Sequence, residues 1–325
     1  MSTIIDLLKC RNILVIGMAG GLARITSTFL IKKYPHLKII GIDEREVREK
    51  PSYSNISCQK IKYTRSNFEK LFRSCHFDIV LHLGRIGHAQ SMRSKKRLDI
   101  NVVETARILE LCLKFKVKKA IILSTYHVYG ALPDNQAFIT EDLPLRASIK
   151  YPELRDVVEM DQVATNNMWK HQQDLTSIVL RPCSIIGPQI KNAMTSYLLS
   201  KYTPTPLDYN PIFQFIHEFD IGSIIIGCIE RAPIGIYNVA PDGVISFRDA
   251  KKIISPTSPH IPIFLAEQLA KLVGSKNYFK LPRYLIDYVK FPCLISNAEL
   301  KKHLGQDCFR YTSQEAIDLL RLSAE

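Results

Sequence analysis

Gly17, Gly20 and Ala23 stand three residues apart directly after the apolar run Asn12–Ile16, and Asp43 ends a second apolar run about twenty residues later. Residues of these types at these intervals can hold a dinucleotide. A glycine at 17 turns the chain sharply out of a strand. Gly20 has no side chain to keep a pyrophosphate off the backbone, and Ala23 is small enough for the next helix to pack close to the strand. The first turn of that helix presents unpaired N–H groups and the positive end of its dipole to the phosphates. A carboxylate at the end of the second strand accepts both ribose hydroxyls of an adenosine. A tight strand-to-helix turn would also explain the glycines without a ligand. The ordered set of strand, glycines, helix, strand and terminal acid favours the dinucleotide.

The elements that must position these residues follow from the hydrophobic pattern. Apolar runs predict strands at 12–17, 38–43, 78–83, 119–124 and 176–181, with a weaker one at 56–62. Helical spacing predicts helices at 21–33, 66–74, 99–116 and 152–171; Val102, Ala106, Leu109 and Leu113 mark one of them. Such alternation implies an α/β fold, a doubly wound parallel sheet of Rossmann type with helices on both faces. After Pro188 the prolines cluster at 204, 206 and 211 and again at 256, 259 and 262, and the elements shorten. We therefore expect a dinucleotide-binding domain over residues 1–188, interleaved with 212–240, and a smaller substrate-binding lobe over most of 189–325.

With 325 residues, 46% hydrophobic and 23% charged, the chain has the composition of a globular protein with a sizeable core. Its longest apolar run, Ile221–Ile229, is too short to span a membrane. The start carries no basic-then-apolar leader, so a cytoplasmic location is expected. The eight cysteines are scattered without a Cys-x-x-Cys pair and read as buried thiols, not disulfides or zinc ligands. His82 and His127 lack companions at metal spacing, so packing or hydrogen bonding is their default role and no metal site is expected. Residues 1–150 hold 26 Lys+Arg against 13 Asp+Glu, the whole of the chain's excess of +13. That field would attract an anionic ligand such as a nucleotide sugar or an acyl-CoA, or it is simply a solvated basic surface. Nucleic acid is disfavoured, because the basic runs lack interleaved aromatics to stack on bases.

The landmarks also fall in a familiar order. Gly17-Met-Ala-Gly20-Gly21-Leu-Ala23, Asp78-Ile-Val-Leu-His82-Leu83-Gly84, Asn101-Val-Val-Glu-Thr105, Ser124-Thr125-Tyr-His-Val-Tyr-Gly130, Leu180-Arg-Pro182 with Ile186-Gly-Pro188, Phe215-Ile-His217-Glu-Phe-Asp220 and Gly235-Ile-Tyr-Asn238-Val run through nearly the whole chain. Together they resemble the extended short-chain dehydrogenase/reductase family, the NAD-dependent epimerase/dehydratase group, and its atypical members in particular. The resemblance implies NAD as cofactor, held by Gly17, Ala19, Gly20, Gly21, Leu22, Asp43, Leu83, Gly84, Asn101 and Pro182. Asp43 favours NAD over NADP because a carboxylate repels a 2′-phosphate. Arg45 and Arg48 stand close enough in sequence to oppose that preference.

The resemblance also implies the chemistry. In the family a tyrosine carries the proton, and a lysine four residues later lowers its pKa and meets the nicotinamide ribose. Tyr151 stands at the family distance from Thr125, but the residue four further on is Arg155, with Glu159 beyond it. An arginine still offers a permanent positive charge to a tyrosinate, but its planar fork aims its donors differently. The expected catalytic set is therefore Thr125 on the reacting oxygen, Tyr151 as proton carrier and Arg155 as the cationic neighbour. The same Tyr151-Pro152 stretch reads equally as a plain helix start, with proline at the first helical position. Tyr126 and His127 stand where sugar-nucleotide 4,6-dehydratases carry an Asp-Glu pair, which argues against that dehydration. The expected activity is hydride transfer between nicotinamide and a carbinol or carbonyl substrate, such as a nucleotide sugar, by an NAD-dependent oxidoreductase or epimerase. The alternative is a dinucleotide-binding protein with weak or no turnover. Relatives that dimerise through a four-helix bundle suggest a homodimer through helices 99–116 and 152–171, with Val157, Met160, Val163, Ala164 and Met168 as the contact stripe.

Overall fold

The computed structural model describes residues 6–48, 52–84, 98–201, 203–265 and 284–323. Seven parallel strands form one sheet: β1 (Asn12–Ile16), β2 (Lys38–Asp43), β3 (Ile56–Lys60), β4 (Ile79–His82), β5 (Lys119–Leu123), β6 (Thr176–Pro182) and β7 (Gly235–Val239), in the order β7-β6-β5-β4-β1-β2-β3. All but the edge strand β3 are short, apolar and rich in branched residues, as strands covered on both faces are, while β3 is mostly polar and exposed. Successive side chains alternate between the faces. Ile13 and Val15 of β1 join one hydrophobic cluster, while Leu14 and Ile16 join the other. The expected doubly wound Rossmann-type sheet is the one observed.

Helices cover both faces. On one side α1 (Gly21–Lys33) packs against α5 (Glu218–Arg231). On the other, α2 (Arg65–Ser74) packs against α3 (Glu104–Lys114), and α3 against α4 (Arg155–Lys170). The apolar run Ile221–Ile229 thus becomes a buried helix rather than a surface one. Lys119, wholly buried at the start of β5, donates to the carbonyls of Cys228, Ile229 and Ala232 and so closes the C-terminal end of α5. Cys10, Cys112, Cys183, Cys228 and Cys293 are buried free thiols; Cys58, Cys75 and Cys308 are partly exposed.

Two predicted helices begin differently. The stretch before α3 forms a wider turn at Asp99–Val103. The stretch before α4 forms a 3-10 turn at Pro152–Leu154, and Tyr151 precedes it in extended conformation, φ −121° and ψ 91°. Proline at the first position of that turn fixes the break. The proposed dimer stripe is also corrected. Val157, Met160, Ala164 and Met168 are at most 1% exposed within a single chain, and Val163 is half-buried. Val157, Met160, Ala164 and Met168 are thus taken up by the chain's own interior, and only Val163 of that stripe keeps an exposed part.

Beyond β6 the pieces are short. Ser184–Ile186 pairs with Phe215–His217, Ile212–Phe213 with Ile245–Ser246, and Thr205–Pro206 with His260–Ile261. A capping box between Thr312 and Glu315 starts the helix Ser313–Leu322. Among the described residues no helix is long and apolar enough to cross a membrane.

Candidate functional site

The strand order reverses at β1: β2 and β3 lie to one side, and the chain then crosses over to β4 on the other. Ligands of such sheets bind outside the carboxyl ends of the strands at that switch point. Two glycines meet there. Gly17 leaves β1 with φ +95°, a conformation that favours glycine. A Cβ added to it would lie 2.3 Å from Gly84 Cα, and one added to Gly84 would lie 2.5 Å from Gly17 Cα. Only a pair of glycines lets the exits of β1 and β4 come this close. Gly20 N–H then bonds Gly17 O at 2.9 Å, and Gly20 becomes the N-cap of α1 without a side chain of its own. An added Cβ on Gly20 would find only Gly17 O within 4 Å, at 3.2 Å. The backbone is therefore open at Gly20, the glycine that the sequence reading assigns to a pyrophosphate. Leu22 and Ala23 turn inward to the core, at 7% and 1% exposure.

Asp43 is 4% exposed at the end of β2 and already has donors. Ala19 N–H bonds its Oδ2 at 3.1 Å. Arg45 supplies its backbone N–H at 2.8 Å and a fork of Nε and Nη2, both at 3.1 Å. The carboxylate thus ties the glycine loop to β2. A ribose reaching Asp43 must share it with Arg45. Leu83 and Gly84 follow β4 directly against the loop, and Pro182 ends β6 beside Val239. Asn101 is buried in the turn before α3 and donates to Asp156 Oδ2 at 2.7 Å, which fastens that turn to α4.

His82 is 5% exposed, and burial lowers its pKa from 6.5 to about 4. Its Nε2 lies 2.9 Å from Thr105 Oγ1, whose hydroxyl donates to Asn101 O. Thr105 can only accept from the ring, so Nε2 carries the proton and His82 is a neutral hydrogen-bonding residue. Among the described residues no group of three or more His, Cys, Asp or Glu could hold a metal ion.

The expected catalytic set lies over β5. Thr125 is 4% exposed and caps a 3-10 turn at Tyr126–Tyr129; its Oγ1 lies 3.1 Å from His127 Nδ1. Tyr151 is also 4% exposed and donates to the Ala131 carbonyl at 2.8 Å. Burial, and then the negative charge of Asp287, push its phenol above the ordinary range. Asp287 in turn pairs with Lys150 at 3.0 Å. Arg155 turns the other way: its side chain is 69% exposed and its Nε bonds Glu159 at 2.6 Å. The structure does not bring Tyr151 and Arg155 together. Residues four apart share a face only within one helix, and Tyr151 lies before the 3-10 turn that Pro152 begins.

Two groupings were not found from the sequence. The first is a buried polar chain behind the strand ends. Arg181 grips Asp161 with Nε at 3.0 Å and Nη2 at 2.7 Å and also donates to Tyr129 OH at 2.8 Å. Tyr129 donates to Asn238 Oδ1 at 2.8 Å, and Ser124 donates to Asp161 at 2.5 Å. The available signal was Arg181, a charged residue closing the apolar run Ile178–Leu180. The second is an aromatic group in which Tyr284 and Tyr288 face His127 and Tyr151, with Tyr288 OH donating to His127 O at 2.9 Å. Nothing in the spacing of residues 284–288 pointed to it.

Comparison with known proteins agrees with this geometry. Residues 13–240 match the profile of the NAD-dependent epimerase/dehydratase family. A dTDP-D-glucose 4,6-dehydratase of Dictyostelium discoideum is 30% identical over 275 residues, covering 77% of this chain and 63% of that protein. An uncharacterised protein of Mycobacterium tuberculosis is 24% identical over 255 residues, covering 77% of this chain and 66% of its own. The chain thus spans just under two thirds of these relatives' length. Among solved structures, dTDP-glucose 4,6-dehydratase of Bacillus anthracis in complex with NAD superposes with a TM-score of 0.75 at 18% identity, covering 96% of each chain. UDP-glucose 4-epimerase of Thermotoga maritima with UDP-glucose gives 0.72 at 15% identity, covering 96% of this chain and 98% of its own. At these identities the superpositions speak for the fold.

Proposed function

The chain belongs to the NAD-dependent epimerase/dehydratase family, and we propose that it binds NAD across the ends of β1, β2 and β4 and transfers hydride to and from a carbinol carbon of a nucleotide sugar. The observation that carries the cofactor is the Gly17–Gly84 contact at the switch point, with the open backbone of Gly20 beside it. When bound, NAD supplies the hydride acceptor. The chain's own residues do the rest. The glycine loop and the first turn of α1 hold the pyrophosphate, and Asp43 takes the ribose hydroxyls. Thr125 orients the reacting oxygen, and Tyr151 exchanges its proton once its hydroxyl leaves the Ala131 carbonyl. The nucleotide sugar is suggested by the dehydratase and epimerase relatives and by the basic first half of the chain.

A second reading has its own support. Tyr151 is engaged by Ala131, its phenol is shifted upward, and Arg155 is occupied by Glu159. That arrangement suits a dinucleotide-binding protein with little turnover. Hydride exchange from labelled NADH, run with dTDP-glucose and UDP-glucose, separates the two. The enzyme reading expects exchange in wild type, its loss in Tyr151→Phe with NAD affinity nearly intact, and unchanged exchange in Arg155→Lys, whose side chain points away from Tyr151. Full-rate exchange in Tyr151→Phe would remove Tyr151 from the chemistry. NAD binding with no exchange in any variant would leave the binder.

A further inference from the structure

Glu218 opens α5 and is completely buried, yet the reading of the glycine loop gives it no task. Its Oε2 accepts the Gln189 N–H at 2.9 Å. Its other oxygen, Oε1, has no hydrogen-bond partner. The turn it reaches begins at Gly187, with φ +154°, where an added Cβ would lie 2.3 Å from Glu218 Oε2. The glycine is needed because the carboxylate passes beneath it. The far side of the same turn presses on the cofactor loop: a Cβ added to Gly21 would lie 2.2 Å from Gln189 O. Gly21 is the first residue of α1, and Arg24 in that helix is the charged group that acts on Glu218. Burial outweighs the Gln189 N–H, the charge of Arg24 and the nearby Ile190 N–H and raises the Glu218 pKa to about 6.

Taking this carboxylate out of water costs more than its hydrogen bond from Gln189 and the charge of Arg24 return, as its raised pKa shows. Its presence therefore calls for a reason other than stability. We propose that Glu218 is a positioning residue for the cofactor: its carboxylate holds the Gly187–Ile190 turn against Gly21, so that this turn forms a fixed wall beside the pyrophosphate. The proposal rests on the reading of the glycine loop as the NAD site.

Glu218→Met keeps the length of the side chain and removes the acceptor; Glu218→Gln keeps an oxygen for the Gln189 N–H. Three measurements are made on the full chain: urea unfolding, hydrogen exchange at the Gln189 amide, and calorimetric titration with NAD. Glu218→Met leaves the Gln189 N–H without its acceptor, so it is expected to lose some stability, to exchange Gln189 faster, and to bind NAD about tenfold more weakly. Glu218→Gln is expected to recover most of that affinity. Leu320→Ala, which destabilises the core away from this turn, is expected to keep wild-type NAD affinity; an equal loss of affinity there would mark a general effect of destabilisation and overturn the proposal. So would unchanged exchange at Gln189, or unchanged NAD affinity in Glu218→Met. Failure of wild type itself to bind NAD would instead overturn the reading beneath it, and the proposal with it.

Discussion

At the scale of single residues, the site is governed by which groups already have partners. Asp43 was legible in the sequence because a carboxylate at the end of an apolar strand has few structural uses. That Arg45 clasps it was not legible, since two residues on the same loop can point anywhere until the loop is folded. The clasp has a consequence for selectivity. Asp43→Ala should weaken NAD binding by about 1–3 kcal/mol, the scale of lost hydrogen bonds to a charged group. Arg45→Ala should widen the preference for NAD over NADP, because it removes a cation beside the ribose while leaving the carboxylate. Parallel titrations of the two variants with both cofactors check this. A narrower preference in Arg45→Ala would mean that Arg45 helps NAD and not its phosphorylated relative. Tyr151 and Arg155 show the opposite limit of the sequence. Their spacing is the one a helix would bring together, but Pro152 displaces the helix start, so the spacing persists without the contact.

At the scale of elements, six of the seven sheet strands and the bodies of α1 to α4 followed from apolar period and were found within a residue or two, whereas β7 and α5 were not predicted as elements. The exceptions are the two helix entries, where a wide turn and a 3-10 turn replace the first regular turn. Periodicity is blind to such turns, because the side chains continue to face the core through them. Close approaches between elements are similarly invisible unless a glycine marks each side. Gly17 and Gly84 do so, and their contact locks β1 to β4 where the ligand must bind. Gly84→Ala should therefore destabilise the chain by about 1–3 kcal/mol, as overpacking against rigid backbone does. It should also lower NAD affinity, since the exit of β1 must move. Urea midpoints paired with NAD titration test both parts. An alanine variant with wild-type stability and affinity would show that the contact is slack.

At the scale of the whole molecule, alternation along the chain was enough to give the doubly wound sheet, because its inner strands had to be apolar on both faces. It was not enough to assign helix faces. The stripe expected to meet a second copy is instead packed into the chain's own core, and one helix-spaced apolar row cannot distinguish the two cases. Buried titratable groups set the pH response. Burial lowers His82 and His217 from 6.5 to about 4, so both are neutral when folded but take up protons when unfolded. Their contribution is complete above the unfolded value and is lost as pH falls from about 6.5 to 4. Glu218 acts in the reverse sense over a smaller interval, its folded value of about 6 lying above 4.5. Glu104, Glu141 and Asp220 are likewise raised by burial and act with Glu218, so each histidine contributes at most roughly 3 kcal/mol to a loss of stability on acidification. His82→Gln keeps a donor for Thr105 and cannot titrate. Its loss of stability between pH 7 and pH 5, followed by urea unfolding, should be smaller than that of wild type. An equal loss would show that His82 is not buried in its neutral form.

The account stands on the crevice above β1, β2 and β4 being a dinucleotide site, and calorimetric titration of the wild-type chain with NAD tests it most directly. The predicted result is saturable binding of one NAD per chain, stronger than that of NADP and weakened by Asp43→Ala. Absence of saturable binding, or binding that Asp43→Ala leaves untouched, would contradict it.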